Sequence, residues 1–240
     1  MKWLVLLDVK KSDFDNLSNL LRSSDELSLI TENSKYYLTS SRWESLTKPE
    51  DVHSTATKVL QPISAVAMIH FTDFPLLKPD HIYQVDEEGK RQGFVMGSAT
   101  INVGSSCSFS IQLEGGQDII PKLEFESWRK LAEEDEIVKN VFRQFRDFEH
   151  NWINLYKVYE IVKKDAGEKN KIDRIKQWID KDKIRQFTHT ANSQSAIGDD
   201  ARHGVDRNDP PKEPMSLSEA QALIRNLVKQ WLQWKCEQPK

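Results

Sequence analysis

Cysteine is scarce in this chain of 240 residues, which holds only Cys107 and Cys236. Two thiols in different halves build neither a disulfide framework nor a thiolate zinc site, so a reducing cytoplasm is the expected home. Long apolar runs are missing too. The apolar stretch Trp3-Leu4-Val5-Leu6-Leu7 is short for a signal-peptide core and falls far below the ~18 residues of a membrane span. No membrane association is expected. A basic excess is also lacking: 34 Lys and Arg against 37 Asp and Glu leave a formal charge of −3. That balance argues against a whole-chain binder of nucleic acid or anionic membrane.

Glycine is sparse, and no phosphate-cradling motif occurs. Gly115-Gly116 runs into a strand-like Ile119-Ile120-Pro121 rather than a helix start. The histidines His53, His70, His81, His150, His189 and His203 are scattered, with no i, i+4 pair around a Glu to place two ligands on one helix face. Neither a metal nor another cofactor is expected. No Gly-x-Ser-x-Gly elbow is present, and no Cys stands beside a plausible His partner for covalent catalysis.

What the chain does hold is charge and aromatic bulk. Asp, Glu, Lys and Arg make up 30% of it, and seven Trp, ten Phe and five Tyr are enough to fill one or two cores. The charge is uneven: residues 1–120 carry 11 basic and 16 acidic side chains, whereas residues 121–240 carry 23 and 21. Two domains are therefore expected, at 1–116 and 122–240, with the boundary in Glu114-Gly115-Gly116-Gln117-Asp118.

Residues 3–9 read as a buried strand, and Phe14, Leu17, Leu20 and Leu21 follow Ser12 at helical spacing. Residues 27–31 and 36–40 bracket a polar connection of hairpin length. Thr47 and Glu50 have the spacing of a capping box, ahead of an apolar face through Val52, Ala56, Val59, Leu60, Ile63 and Ala67. Pro62 is expected to kink or shorten that helix. Residues 82–85 and 93–96 flank a Gly-containing turn, and residues 99–103 and 108–113 are further strand candidates. The fold class is thus α+β: a mostly antiparallel sheet with two helices, followed by an all-α helical bundle.

In the second half, Ile137, Val138, Val141, Phe142, Phe145, Phe148, Trp152, Leu155, Tyr156, Tyr159 and Val162 recur every three or four residues. The spacing predicts one helix of roughly 40 Å, at ~1.5 Å per residue. Ser216-Leu217-Ser218-Glu219 is a capping box opening a last helix lined by Leu217, Ala220, Leu223, Ile224, Leu227, Val228, Trp231 and Trp234. Several such stripes bury most easily as a bundle.

Between these helices lies a polar loop, residues 192–215, of roughly 24 residues, well above the 2–8 usual for helix connections. Asn192, Asp199, Asp200, Arg202 and His203 offer donors, acceptors and an imidazole there. An Arg-His pair stabilises a phosphate in flight while the His acts as acid or base, which makes Arg202, His203 and an orienting Asn192 the catalytic candidates. In the plainer reading, Asp199 and Asp200 pair with Arg202 or cap a helix, and Pro210, Pro211 and Pro214 stiffen the approach to Ser216. Residues 139–187 carry 13 basic and 8 acidic side chains. The aromatics among them lie mostly on the core stripe, so a solvated face is favoured over base stacking.

The stretch from Trp152 to Glu160, then Ala201-Arg202-His203-Gly204 and residues 214–220, resembles a group of bacterial two-domain proteins with no assigned activity. More distantly, residues 125–236 are similar to HEPN helical bundles, which include metal-independent ribonucleases and nucleotide-binding modules of defence and toxin systems. That resemblance implies an Arg and a following His with four to six residues between them. Arg143 and His150 meet the spacing and become candidate binding residues beside Asp199 and Asp200. Arg202-His203 has the residue types without the spacing. Two functional readings result. The first is an intracellular interaction or regulatory protein, with a protein partner or a second copy of itself, whose 192–215 loop is the recognition surface. The second is a metal-independent ribonuclease or RNA-binding protein.

Overall fold

A computed structural model describes residues 2–22, 24–96, 122–167, 174–206 and 209–238. The strand candidates at 99–103 and 108–113, the boundary at 114–118 and Cys107 lie outside the described residues. The architecture is α+β, with a five-stranded antiparallel sheet in the N-terminal half and a mostly helical C-terminal half. By packing, the chain divides into two units, Met1–Ile63 with Pro75–Glu126 and Ser64–Phe74 with Ser127–Lys240.

In the first unit, β1 (Lys2–Leu7), β2 (Leu27–Glu32), β3 (Lys35–Ser40), β4 (His81–Val85) and β5 (Arg91–Val95) take the order β2-β3-β1-β4-β5. The most apolar strand is central: Trp3, Leu4, Val5 and Leu7 are buried, so both faces of β1 are covered. Register follows from two local turns. Asn33 and Ser34 both have positive φ (49° and 61°), the left-handed pair that a two-residue type I′ hairpin requires between β2 and β3. Gly89, at φ 82°, closes the β4–β5 turn while the Asp86 carboxylate accepts from the amides of Glu88 (3.0 Å) and Lys90 (2.8 Å). The Trp3 carbonyl receives Thr39 Oγ1 at 2.9 Å and the Trp43 indole at 3.3 Å, so these two buried donors are satisfied. Helix α1 (Lys11–Leu21) buries Phe14, Leu17, Leu20 and Leu21, and Phe14 stacks on Tyr36.

Helix α2 (Pro49–His70) departs from expectation at its start and in not ending early. It begins with Pro49 at its first position, where a missing N–H costs nothing, so Lys48 rather than Thr47 is the cap residue. It also runs past Pro62 to His70. An internal proline costs about 3 kcal/mol, and the buried Val59, Leu60 and Ile63 around it offset that penalty. The last turns of α2 group with the second unit.

That unit contains α3 (Lys122–Glu134) from Ser127 on, with α4 (Glu136–Asp147), α5 (Trp152–Gly167), α6 (Ile175–Trp178), α7 (Lys181–Ala191), α8 (Gln194–Ile197) and α9 (Leu217–Cys236). The expected single helix through residues 137–162 is two helices. Phe148 is extended (φ −126°, ψ 150°), and Asn151 restarts the chain by accepting the Asn154 amide at 3.0 Å. Phe148 is consequently 41% exposed rather than in the core. Helix α5 is the hub and packs against α4, α6, α7 and α9. Trp152 and Tyr156 stack on Phe187 of α7, and Tyr159 meets the same ring edge-on. Lys235 of α9 bridges Asp135 (2.6 Å) and Asp165 (2.9 Å), tying the start of α4 to the end of α5. The capping box at Ser216 and Glu219 is present.

Candidate functional site

The described residues of the 192–215 segment are tied to α7 at several points. Asn192 is the C-cap of α7, and its side-chain amide donates to the Thr188 carbonyl at 2.7 Å. Thr190 Oγ1, fully buried, accepts the Met215 amide at 3.0 Å. His189 Nε2 bonds the Asp209 carbonyl at 2.8 Å, and Gln186 donates to the Glu213 carbonyl at 3.0 Å. Within the segment, Asp206 caps α8 from twelve residues away: its carboxylate accepts the amides of Gln194 (2.6 Å) and Ser195 (3.0 Å) and the Ser195 hydroxyl. The Ser195 hydroxyl and these amides hold the Asp206 carboxyl below its ordinary range.

Two of the three catalytic candidates meet on Tyr156. The Arg202 guanidinium carbon lies 4.4 Å from the Tyr156 ring centroid, and Asn192 Nδ2 is 3.4 Å from the Tyr156 hydroxyl. Arg202 also pairs with Glu160 at 2.9 Å, and its amide bonds the Ala191 carbonyl. The guanidinium is thus neutralised and stacked. The geometry brings no His203 hydrogen bond to this cluster. Asp199 and Asp200 form an exposed single 3₁₀ turn after α8, and neither pairs with Arg202.

Arg143 and His150 have separate partners because the helix that would align them is broken. Arg143 donates to Asn140 (2.9 Å) and lies over the Phe148 ring. His150 turns back beneath α4: its Nε2 donates to the Phe145 carbonyl at 3.0 Å, so the imidazole caps the helix C-terminus. It opens onto a cleft of about 310 Å³ lined by Asp73, Phe71, Phe74, Phe148, Glu149, His150, Gln221 and Arg225, among others. Gln221 Nε2 donates to the His150 carbonyl (3.0 Å), and Arg225 Nε to the Met68 carbonyl (3.2 Å). Burial pushes the His150 imidazole below its ordinary value, and the Arg225 cation adds to that effect. His150 is therefore neutral at pH 7, with its lone pair on Nδ1.

No family model, curated protein or solved structure matches this chain. Function is thus argued from geometry alone. Among the described residues no group of three or more His, Cys, Asp or Glu is placed to hold a metal, and no helix is long and apolar enough to cross a membrane.

Sequence reasoning missed Asp206, Asp73, Gln221 and Arg225 as site residues. The last two left a faint signal, an i, i+4 polar pair flanking the apolar stripe of α9. Asp206 left none, because the helix it caps lies upstream of it and the hydrogen-bonded positions share no local pattern. Tyr156, read as core, is only partly buried and supplies the surface on which Arg202 rests.

Proposed function

We propose that this chain is an interaction or regulatory protein whose 192–215 segment is read by a protein partner. The observation that carries this is the capping of α8 by Asp206, together with the bonds from Gln186, His189 and Thr190. They tie the described parts of a long polar segment to α7 and α8 while Val205 stays 75% exposed and Asp199 and Asp200 face solvent. A surface ordered before binding spares the partner that entropic cost. An exposed apolar tip between charged residues has the composition of an interface centre with a polar rim. The engagement of Arg202 with Glu160 and Tyr156 further supports a structural use of that cation over stabilisation of a phosphate.

Affinity capture followed by reconstitution with the purified partner tests the proposal. A partner bound at least about tenfold less tightly by Val205→Asp or Asp199→Lys, a loss of about 1.4 kcal/mol, supports it. A partner indifferent to both changes overturns it. Incubation with total RNA in EDTA tests the other reading. Cleavage by the wild type that disappears in Arg202→Ala and His203→Ala would replace this proposal with the ribonuclease.

A further inference from the structure

The cleft beside His150 is small, mixed in charge and walled by aromatic rings. Two cations line it: the Arg146 guanidinium is taken by both carboxylate oxygens of Asp147, whereas Arg225 has only its Nε committed, to the Met68 carbonyl, and among the described residues nothing accepts a hydrogen bond from its two Nη groups. Burial pushes this guanidinium below its ordinary value, and the negative charge of Asp73 partly offsets that. Two carboxylates, Asp73 and Glu149, line the same cleft. Asp73 occupies the left-handed region at φ 59°, uncommon outside glycine though tolerated by Asp and Asn. Non-glycine residues held there cluster at ligand clamps.

The three features together select a ligand chemistry. A fixed guanidinium calls for a carboxylate and favours it bidentately. Nearby carboxylates that lack a hydrogen-bonded cation call for an ammonium. Phe71, Phe74 and Phe148 supply flat apolar walls for a side chain. A volume near 310 Å³ sits at the lower end of small-molecule sites, usually about 300–1,000 Å³. We propose that this cleft binds a small zwitterion, an α-amino acid with an apolar or aromatic side chain, through Arg225 on its carboxylate and Asp73 with Glu149 on its ammonium. Gln221 and His150 act as positioning residues: the Gln221 amide holds the His150 carbonyl, and the imidazole holds the end of α4 against the cleft.

Two larger clefts of the same unit lack this combination. The groove between α7 and residues 209–213 has no aromatic ring beyond His189, which is already bonded to the Asp209 carbonyl. The cleft beside Cys236 is lined by no guanidinium: its cations are Lys130 and Lys235, and the Lys235 ammonium is taken by Asp135 and Asp165.

The test is calorimetric titration of the full chain with L-phenylalanine, L-phenylalaninamide, which lacks the carboxylate, and 3-phenylpropionate, which lacks the ammonium. Expected are saturable binding of L-phenylalanine and at least about tenfold weaker binding of each truncated probe. In Arg225→Met the advantage of L-phenylalanine over the amide should vanish; in Asp73→Asn its advantage over phenylpropionate should shrink. Asn tolerates the same backbone region, so the second variant stays informative if the first fails to fold. Dissociation constants above about 1 mM for L-phenylalanine, or equal losses for all three probes in Asp73→Asn, would overturn the proposal. Neither outcome bears on the 192–215 surface.

Discussion

His70, at the end of α2, is the most sharply perturbed titratable group and gives the most stringent prediction. Its ring stacks on the buried Trp128 (centroids 5.1 Å apart, planes 15° apart), and its Nε2 is buried without a hydrogen-bond partner among the described residues. Burial, reinforced by the Lys229 cation, lowers its pKa from 6.5 to about 3. Below pH 6.5 the unfolded chain therefore binds a proton that the folded chain refuses. Stability falls as acid is added, with a slope approaching about 1.4 kcal/mol per pH unit, until the folded state protonates too. Between pH 7 and pH 5 the loss from this one group is about 2 kcal/mol. His150 is lowered for the same chief reason and acts with the same sign. Substitution His70→Phe retains a ring against Trp128 and removes the titration. Urea unfolding at pH 7, 6 and 5, followed on the Trp128 indole resonance, should show a shallower pH dependence in the variant by about 2 kcal/mol over that range. In the native protein the His70 Hε1 resonance should stay unshifted across the same range. A midpoint within about one unit of 6.5 would refute the reasoning, as would an unchanged pH slope in His70→Phe.

Three further outcomes follow from the helical unit. Lys235→Met strands Asp135 and Asp165 in a site where all three side chains are mostly shielded; denaturation at neutral pH should show a loss of about 2 kcal/mol or more. Although burial raises the Asp135 pKa, the Lys235 ammonium and the Val138 and Ile137 amides bring it below 3.8. The wild-type advantage over the variant should therefore be full above pH 3.8 and fade as pH falls below it, and a pH-independent difference would contradict the ion pairing. Trp152→Ala removes a ring that is 4% exposed and stacked on Phe187, and should cost about 3–5 kcal/mol in chemical denaturation. Asp206→Ala uncaps α8, so limited proteolysis should cut within residues 194–206 sooner than in the wild type; an unchanged cleavage order would show that Asp206 does not order the segment.

Local chemistry made much of this fold legible in the sequence. The β2–β3 hairpin, its turn at Asn33-Ser34, the buried β1 and the Ser216–Glu219 box each depend on contacts within four residues or on a repeating period. Such contacts are written contiguously in the chain. Periodicity misled where it survived a break: Phe145, Phe148 and Trp152 keep helical spacing across the extended Phe148, so the stripe reads as one helix although Asn151 restarts it. The candidate sites were legible in residue type and not in partnership. Arg202 was singled out, yet it is Tyr156 and Glu160, more than forty positions away, that neutralise it and set its orientation. Arg225, Asp73 and His150 likewise come from three distant segments, and no spacing rule joins them.

The sequence by itself determined the α+β class, the presence of the two hairpins and the capped start of α9, because hydrogen bonds of short range and the burial of repeating faces act before any tertiary contact exists. Only the tertiary structure decided which cations are spent and which stand open. A side chain's charge is offset or left unpaired by whatever packs against it, and packing joins residues without regard to their order in the chain.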